Sequence, residues 1–144
     1  MRSIQRSALV PYSPRQMFDV VNDVARYSEY LPWCDTSRII SETEFQMVAS
    51  ISLKATGIRQ SFTTRNVLDQ PSRISMSHIE GLFSSLHGEW YFKALGEDGC
   101  RVSLDLNFDM PRTLAAVGAG RVFDNAADRM VDVFCVRASE LYGR

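Results

Sequence analysis

From Phe45 to Asp109, apolar and polar residues alternate with a period of two, interrupted only by turn signals, and this pattern constrains the fold more than any other feature. The cleanest stretch sets Cys100, Val102, Leu104, Leu106 and Phe108 against Arg101, Ser103, Asp105, Asn107 and Asp109. Successive side chains of a strand point to opposite faces, so each such run is an antiparallel strand with one apolar and one wet face. Phe45, Met47, Ala49, Ile51 and Leu53 make one run, and Phe62, Thr64, Asn66 and Leu68 continue it past a turn at Gly57. Ile74, Met76 and His78 follow Pro71; Leu86, Gly88, Trp90 and Phe92 follow Gly81; Gly96-Glu97-Asp98-Gly99 turns into the last run. With a short opening strand over Ser3 to Val10, the count is about seven strands.

An apolar sheet face must be covered, and only one segment is long enough to do it. After Met110-Pro111, residues Phe123, Ala126, Ala127, Met130, Phe134, Ala138 and Leu141 recur at helical spacing. A helix of about 30 residues would run roughly 45 Å, so a break is expected at Gly118 or Gly120. Near the N-terminus, Ser13-Pro14-Arg15-Gln16 carries a helix start: a capping Ser, a Pro at the first helical position and a Gln that closes a capping box. Met17, Val20, Val21 and Val24 follow at helical spacing, and a second short helix is expected to end near Tyr30. The fold class is therefore α+β: a curved antiparallel sheet wrapped on a long C-terminal helix, with two short helices after the first strand, in a single domain over residues 1–144.

Composition narrows the function classes. The chain is 45% apolar and 23% charged with a net charge of −1, which is globular material without a global positive field for nucleic acid or anionic membrane. No apolar stretch approaches the roughly 18 residues of a membrane-spanning helix, and Met1 to Arg6 lacks the apolar region of a secretory signal, so a cytoplasmic location is expected. Cys34, Cys100 and Cys135 are far apart, with no C-x-x-C, and read as reduced thiols.

Catalytic chemistry finds little stock. Of two histidines, His78 is in phase with Ile74 and Met76 and is expected to be a partly buried, hydrogen-bonded side chain, whereas His87 shares a wet face with Glu89 and Tyr91. No Ser or Cys sits in a nucleophile context. Asp124, Asp128 and Asp132 recur every four residues, but eight helical residues span roughly 12 Å, too far for one ion to collect all three. They read as a solvated face with Arg121 and Arg129 as neighbours; no metal and no cofactor is expected. Mixed small, polar and large positions on the apolar face (Ala49, Thr64, Asn66, Gly88 and Ala126 among Met47, Met76, Trp90, Phe123 and Met130) allow either a close-packed core or a ligand cavity.

Four segments carry a resemblance: Tyr27 through Cys34 (YSEYLPWC), Ser61 through Asn66, Gly81 through Phe92, and Met130 through Phe134 with Arg137-Ala138. In order and spacing they resemble the coenzyme Q-binding START-domain family, which includes bacterial ribosome-association toxins and lies within the polyketide cyclase/dehydrase and lipid-transport superfamily. The resemblance covers essentially the whole chain, with Leu31-Pro32-Trp33-Cys34 its most specific part. It implies the START/Bet v 1-like helix-grip fold, matching the order of elements read from periodicity. It also implies non-enzymatic binding of a hydrophobic ligand, most simply ubiquinone or another polyprenyl quinone, in support of respiration.

The alternative is a factor, part of a toxin–antitoxin pair, that binds the large ribosomal subunit and blocks subunit joining; a cyclase-like enzyme using His78 is a third reading. The ligand-binding candidates, by apolar phase plus resemblance, are Tyr27, Leu31, Trp33, Phe62, Met76, Phe83, Trp90, Phe123, Met130 and Phe134. Tyr27, Tyr30, Leu31 and Trp33 are expected to form one wall or the entrance of the cavity, with Trp33 either able to dip into a membrane interface or plugging one end of the core. For the ribosome reading, Arg59, Arg65, Arg73 and Arg101 would have to share one surface. One departure from the family is visible: Gly81-Leu82-Phe83 stands where Gly-Pro-Phe is usual, which is expected to loosen this corner as a lid.

Overall fold

A computed structural model describes residues 2–55, 58–112 and 119–143; the side chains of 55, 58–60, 119–120 and 122 lie outside that description. Strand β1 (Arg2–Val10) leads to helix α1 (Pro14–Asn22), a single 3-10 turn (Val24–Arg26) and helix α2 (Tyr27–Tyr30). Six strands follow: β2 (Cys34–Glu42), β3 (Gln46–Ala55), β4 (Ile58–Asp69), β5 (Arg73–Gly81), β6 (Ser85–Leu95) and β7 (Gly99–Asp109). Helix α3 (Ala119–Tyr142) closes the chain. The seven strands form one antiparallel sheet in the order β1-β7-β6-β5-β4-β3-β2, so β1 and β2 are its edges. This is the helix-grip arrangement, with α3 across the apolar face.

Local chemistry accounts for the element ends. Ser13 caps α1 as its hydroxyl accepts from the Gln16 N–H, while the Gln16 side chain accepts from the Ser13 N–H, the reciprocal box read from the sequence. Leu31 is extended (φ −85°, ψ 114°), as the residue before a Pro must be, and this stops α2 after one turn. Gly120 falls inside α3, while Gly118 lies outside the described residues.

The inner face is a continuous apolar core. Met47, Ala49, Leu53, Phe62, Leu68, Ile74, Trp90, Phe92, Val102, Leu104, Leu106 and Phe108 are buried from the sheet, and Phe123, Ala126, Ala127, Val131, Phe134 and Ala138 from α3. Three expectations need correction. Phe45 is 69% exposed, because it belongs to the β2–β3 turn and overhangs the sheet. Leu141 is exposed and Met130 only half-buried, since Val131 takes the inward position on the middle of α3.

The acidic stripe of α3 is also not simply solvated. Arg2 pairs with Asp124 at 2.7 Å and Arg6 with Asp128, so the edge strand β1 is laced to the helix by cations from the sheet rather than by Arg121 and Arg129.

The β5–β6 pairing ends at Ser77 opposite His87, and β5 runs on to Gly81 against β4 alone. There the chain turns sharply. Gly81 has φ +119°, and a Cβ on it would lie 2.4 Å from the Phe62 Cα, so both its dihedral and the close approach require glycine. The corner is fastened, contrary to the loosening expected from the missing proline. Leu82 donates its N–H to the Ser61 carbonyl at 3.1 Å, a bond a proline could not make, and Leu82 and Phe83 are both buried.

Candidate functional site

Between the sheet and α3 the described residues line a small apolar cavity. Its walls are Val24 and Tyr27 from the helical segment, Trp33, Ala49 and Ile51 from the β2–β3 side, Phe62, Thr64, Asn66, Met76, Leu86, Trp90 and Leu106 from the sheet centre, and Phe123 and Met130 from α3. Of the ten candidates, Tyr27, Trp33, Phe62, Met76, Trp90, Phe123 and Met130 line this space. Leu31, Phe83 and Phe134 do not; they are buried one layer behind it.

Phe83 fills the corner after β5, edge-on to Phe62, Phe108 and Phe123 with centroids 5.1, 5.9 and 4.7 Å away. Phe134 packs on Tyr27 and Trp90, 5.4 Å from each. Val24, Ile51, Leu86 and Leu106 escaped the sequence reading because a lining residue and a core residue show the same apolar phase; only Ala49, Thr64 and Asn66 stood out, as small or polar positions where bulk is usual.

Gly88 shapes the floor. A Cβ there would come within 2.6 Å of the Met76 Cε and 2.9 Å of a Leu106 methyl, so its bare backbone lets Met76 lie across β6. The cavity so enclosed is about 50 Å³. That is room for a few waters, since one needs roughly 10–15 Å³. It is far below the roughly 300–1,000 Å³ of a pocket that engulfs a drug-sized ligand.

The cavity is nearly dry chemically. Thr64 donates its hydroxyl to the Asn66 side-chain oxygen at 2.9 Å, pairing two polar groups side by side on β4. The Tyr27 hydroxyl donates to the Val21 carbonyl, and burial raises its pKa well above the ordinary tyrosine range. The Trp33 indole N–H is buried with no hydrogen-bond partner among the described residues. The described lining holds no carboxylate, histidine, cysteine, serine, lysine or arginine. His78 is outside the described lining; its ring stands edge-on to Phe83 at 6.1 Å, and its buried Nε2 has no hydrogen-bond partner among the described residues, where the sequence suggested a satisfied one. His87 is at the surface beside Glu89, 3.1 Å away. All three thiols are free; Cys34 and Cys100 are buried, and burial pushes Cys100 up to about 11.

At the mouth of the helical layer, Arg137 lies over the Tyr30 ring at 4.6 Å, and burial raises the Tyr30 hydroxyl above its ordinary range. Among the described residues no helix is long and apolar enough to cross a membrane.

Arg65, Arg73 and Arg101 are exposed on the outer face of the sheet but do not form one stripe. Arg65 lies opposite Val48 and Ser77, Arg59 is in register with Lys54 with its side chain outside the described residues, and Arg101 is opposite Lys93 at the far end. Arg73 is spent on Glu89, donating from Nε and a terminal nitrogen at 2.8 and 2.9 Å.

Comparison with known proteins agrees with this geometry. Ribosome association toxin RatA of Pseudomonas aeruginosa is 50% identical over 140 residues, covering 97% of each chain. The mitochondrial coenzyme Q-binding protein COQ10 of Drosophila melanogaster is 28% identical over 133 residues, covering 90% of this chain and 55% of that one. Among solved structures, the Zhui aromatase/cyclase of a Streptomyces strain superposes with a TM-score of 0.77 at 16% identity, covering 96% of this chain and 93% of that one, which marks a shared fold. The family model for polyketide cyclase / dehydrase and lipid transport matches residues 10–135, and the chain belongs to that family.

Proposed function

We propose that this chain is a ribosome-association factor that binds the large ribosomal subunit and hinders subunit joining, and that it acts without catalysis. The observation that carries this reading is the 50% identity, over nearly the full length of both chains, to a protein named for ribosome association. Among the described lining residues the Tyr27 and Thr64 hydroxyls donate to the Val21 carbonyl and the Asn66 side-chain oxygen, which supports a binding role over a cyclase-like one. The test is co-sedimentation of the purified chain with large subunits at two salt concentrations. Binding that weakens with salt supports the reading, and a chain that stays at the top of the gradient at both salts refutes it.

A second reading, favoured by the continuous apolar lining and by the likeness to a coenzyme Q-binding protein, is that the cavity opens to take an isoprenoid quinone or a similar lipid. Each Å² of apolar surface so covered would contribute about 25 cal/mol. Native mass spectrometry of protein purified from its own host, followed by lipid extraction, tests it. A stoichiometric quinone supports this second reading, and an empty protein counts against it.

A further inference from the structure

We propose that Trp33 selects what the cavity takes: its indole N–H donates a hydrogen bond to a neutral carbonyl oxygen on an otherwise apolar ligand. The inference rests on the second reading above, in which the cavity opens, and adds to it the donor and the acceptor chemistry the ligand must carry.

The cavity wall holds a donor with nothing to bond. Trp33 lines the cavity and is only 9% exposed, and its indole N–H is buried with no hydrogen-bond partner among the described residues. The hydroxyls of the same wall are spent inside the fold, Tyr27 on the Val21 carbonyl and Thr64 on the Asn66 side-chain oxygen. Asn66 commits its amide oxygen to that bond, and the nitrogen of the same amide can only donate. What the wall offers an incoming ligand is therefore chiefly N–H. A buried donor left without an acceptor costs more than a made bond returns, so the site gains most from a ligand that brings the acceptor with it. Water can serve the indole while the cavity is closed; a ligand oxygen replaces that water without loss, and a hydrocarbon does not.

The main chain holds this donor in place. The Trp33 carbonyl accepts from the Lys54 N–H at 2.8 Å, which ties it to β3, and the Leu31 carbonyl accepts from the Cys34 N–H at 3.1 Å, which closes a turn around Pro32 and Trp33. Pro32 adds its fixed φ just before the tryptophan. With both flanks tied and the ring covered, the indole is positioned before any ligand arrives, as selection through one hydrogen bond requires.

The surroundings decide which acceptor fits. The described lining holds no lysine, arginine or histidine, so an ionised carboxylate or phosphate would enter without a counter-charge. A neutral carbonyl accepts from the indole and brings no charge to an apolar wall.

The test uses two probes of one shape, acetophenone and α-methylstyrene, which differ only in carrying C=O or C=CH2. Each is titrated by calorimetry into the purified full chain, wild type and Trp33→Phe, with thermal melts to verify folding. Comparing the ratio of the two dissociation constants between the two proteins cancels the probes' different solubility in water. The wild type is expected to favour the ketone about tenfold more than Trp33→Phe does, the worth of one buried hydrogen bond. In the wild type the Trp33 indole proton resonance, assigned through its own backbone amide, should move downfield with acetophenone and not with α-methylstyrene. That measurement stands whether or not Trp33→Phe folds.

Equal ratios in the two proteins, or an indole resonance that answers both probes alike, would overturn Trp33 as the selecting donor and leave the cavity reading standing. A wild type that takes up neither probe overturns the cavity reading and this assignment with it.

Discussion

The Tyr27 hydroxyl and the Trp33 indole N–H are both buried donors beside the same cavity, yet they stand in opposite situations. Tyr27 satisfies the Val21 carbonyl, so Tyr27→Phe should cost about 1 kcal/mol in a urea denaturation series. Trp33 has no partner to lose, so Trp33→Phe should forfeit packing only, and a melt that drops no more than a ring truncation explains would bear that out. Glu89 shows the same logic at the surface. Its carboxyl is held below the ordinary range chiefly by the hydrogen bonds from Arg73, with a smaller contribution from Ser75. A carboxylate depressed in the folded state stabilises above its unfolded pKa, and that stabilisation is lost as pH falls through the lower folded value. Glu89→Gln should therefore be less stable than wild type at pH 7, with the gap closing as pH is lowered below about 4.3, the usual glutamate value. A gap that is constant with pH would contradict the ionised fork.

At the scale of elements, the corner after β5 is where sequence reasoning was most incomplete. The departure from Gly-Pro-Phe was legible, but its consequence depends on where the Leu82 N–H points, and the Ser61 carbonyl that accepts it is 21 positions earlier in the chain, outside any local pattern. Gly81→Ala should destabilise by about 2 kcal/mol or more, because it adds a Cβ to a positive φ against the Phe62 backbone. A variant as stable as wild type would mean the corner is looser than described. The strands and the Ser13 box were legible because alternation and capping are local codes. Strand β2 was the least legible: its apolar alternation is broken at Thr36 and again at Ser41 by register shifts, which move side chains between faces without any sign in composition. The ion pairs from Arg2 and Arg6 to α3 were illegible for a similar reason, since they join residues at the two ends of the chain.

For the whole molecule, the sequence located the core but could not say whether it was filled. Residues such as Phe83 and Phe134 have the phase of a cavity wall and turn out to be the packing behind it, and what separates the two roles is a few ångströms of depth. The remaining void offers a direct separation of the two functional readings. Ala49→Val adds two methyl groups at a strand position on the cavity wall, where β-branched residues are favoured. It should leave ribosome binding at the wild-type level and change stability by no more than about 1 kcal/mol. Abolished co-purification of a lipid with ribosome binding intact would show that cavity and ribosome contact are separate properties of one fold. The most direct test is subunit joining itself: purified chain is added to small and large subunits under associating conditions and the gradient is read for the joined ribosome. The joined peak is expected to fall as the chain is titrated to the concentration of large subunits, with the chain co-migrating with the large subunit. A joined peak that persists at excess chain, with the chain at the top of the gradient, would contradict it.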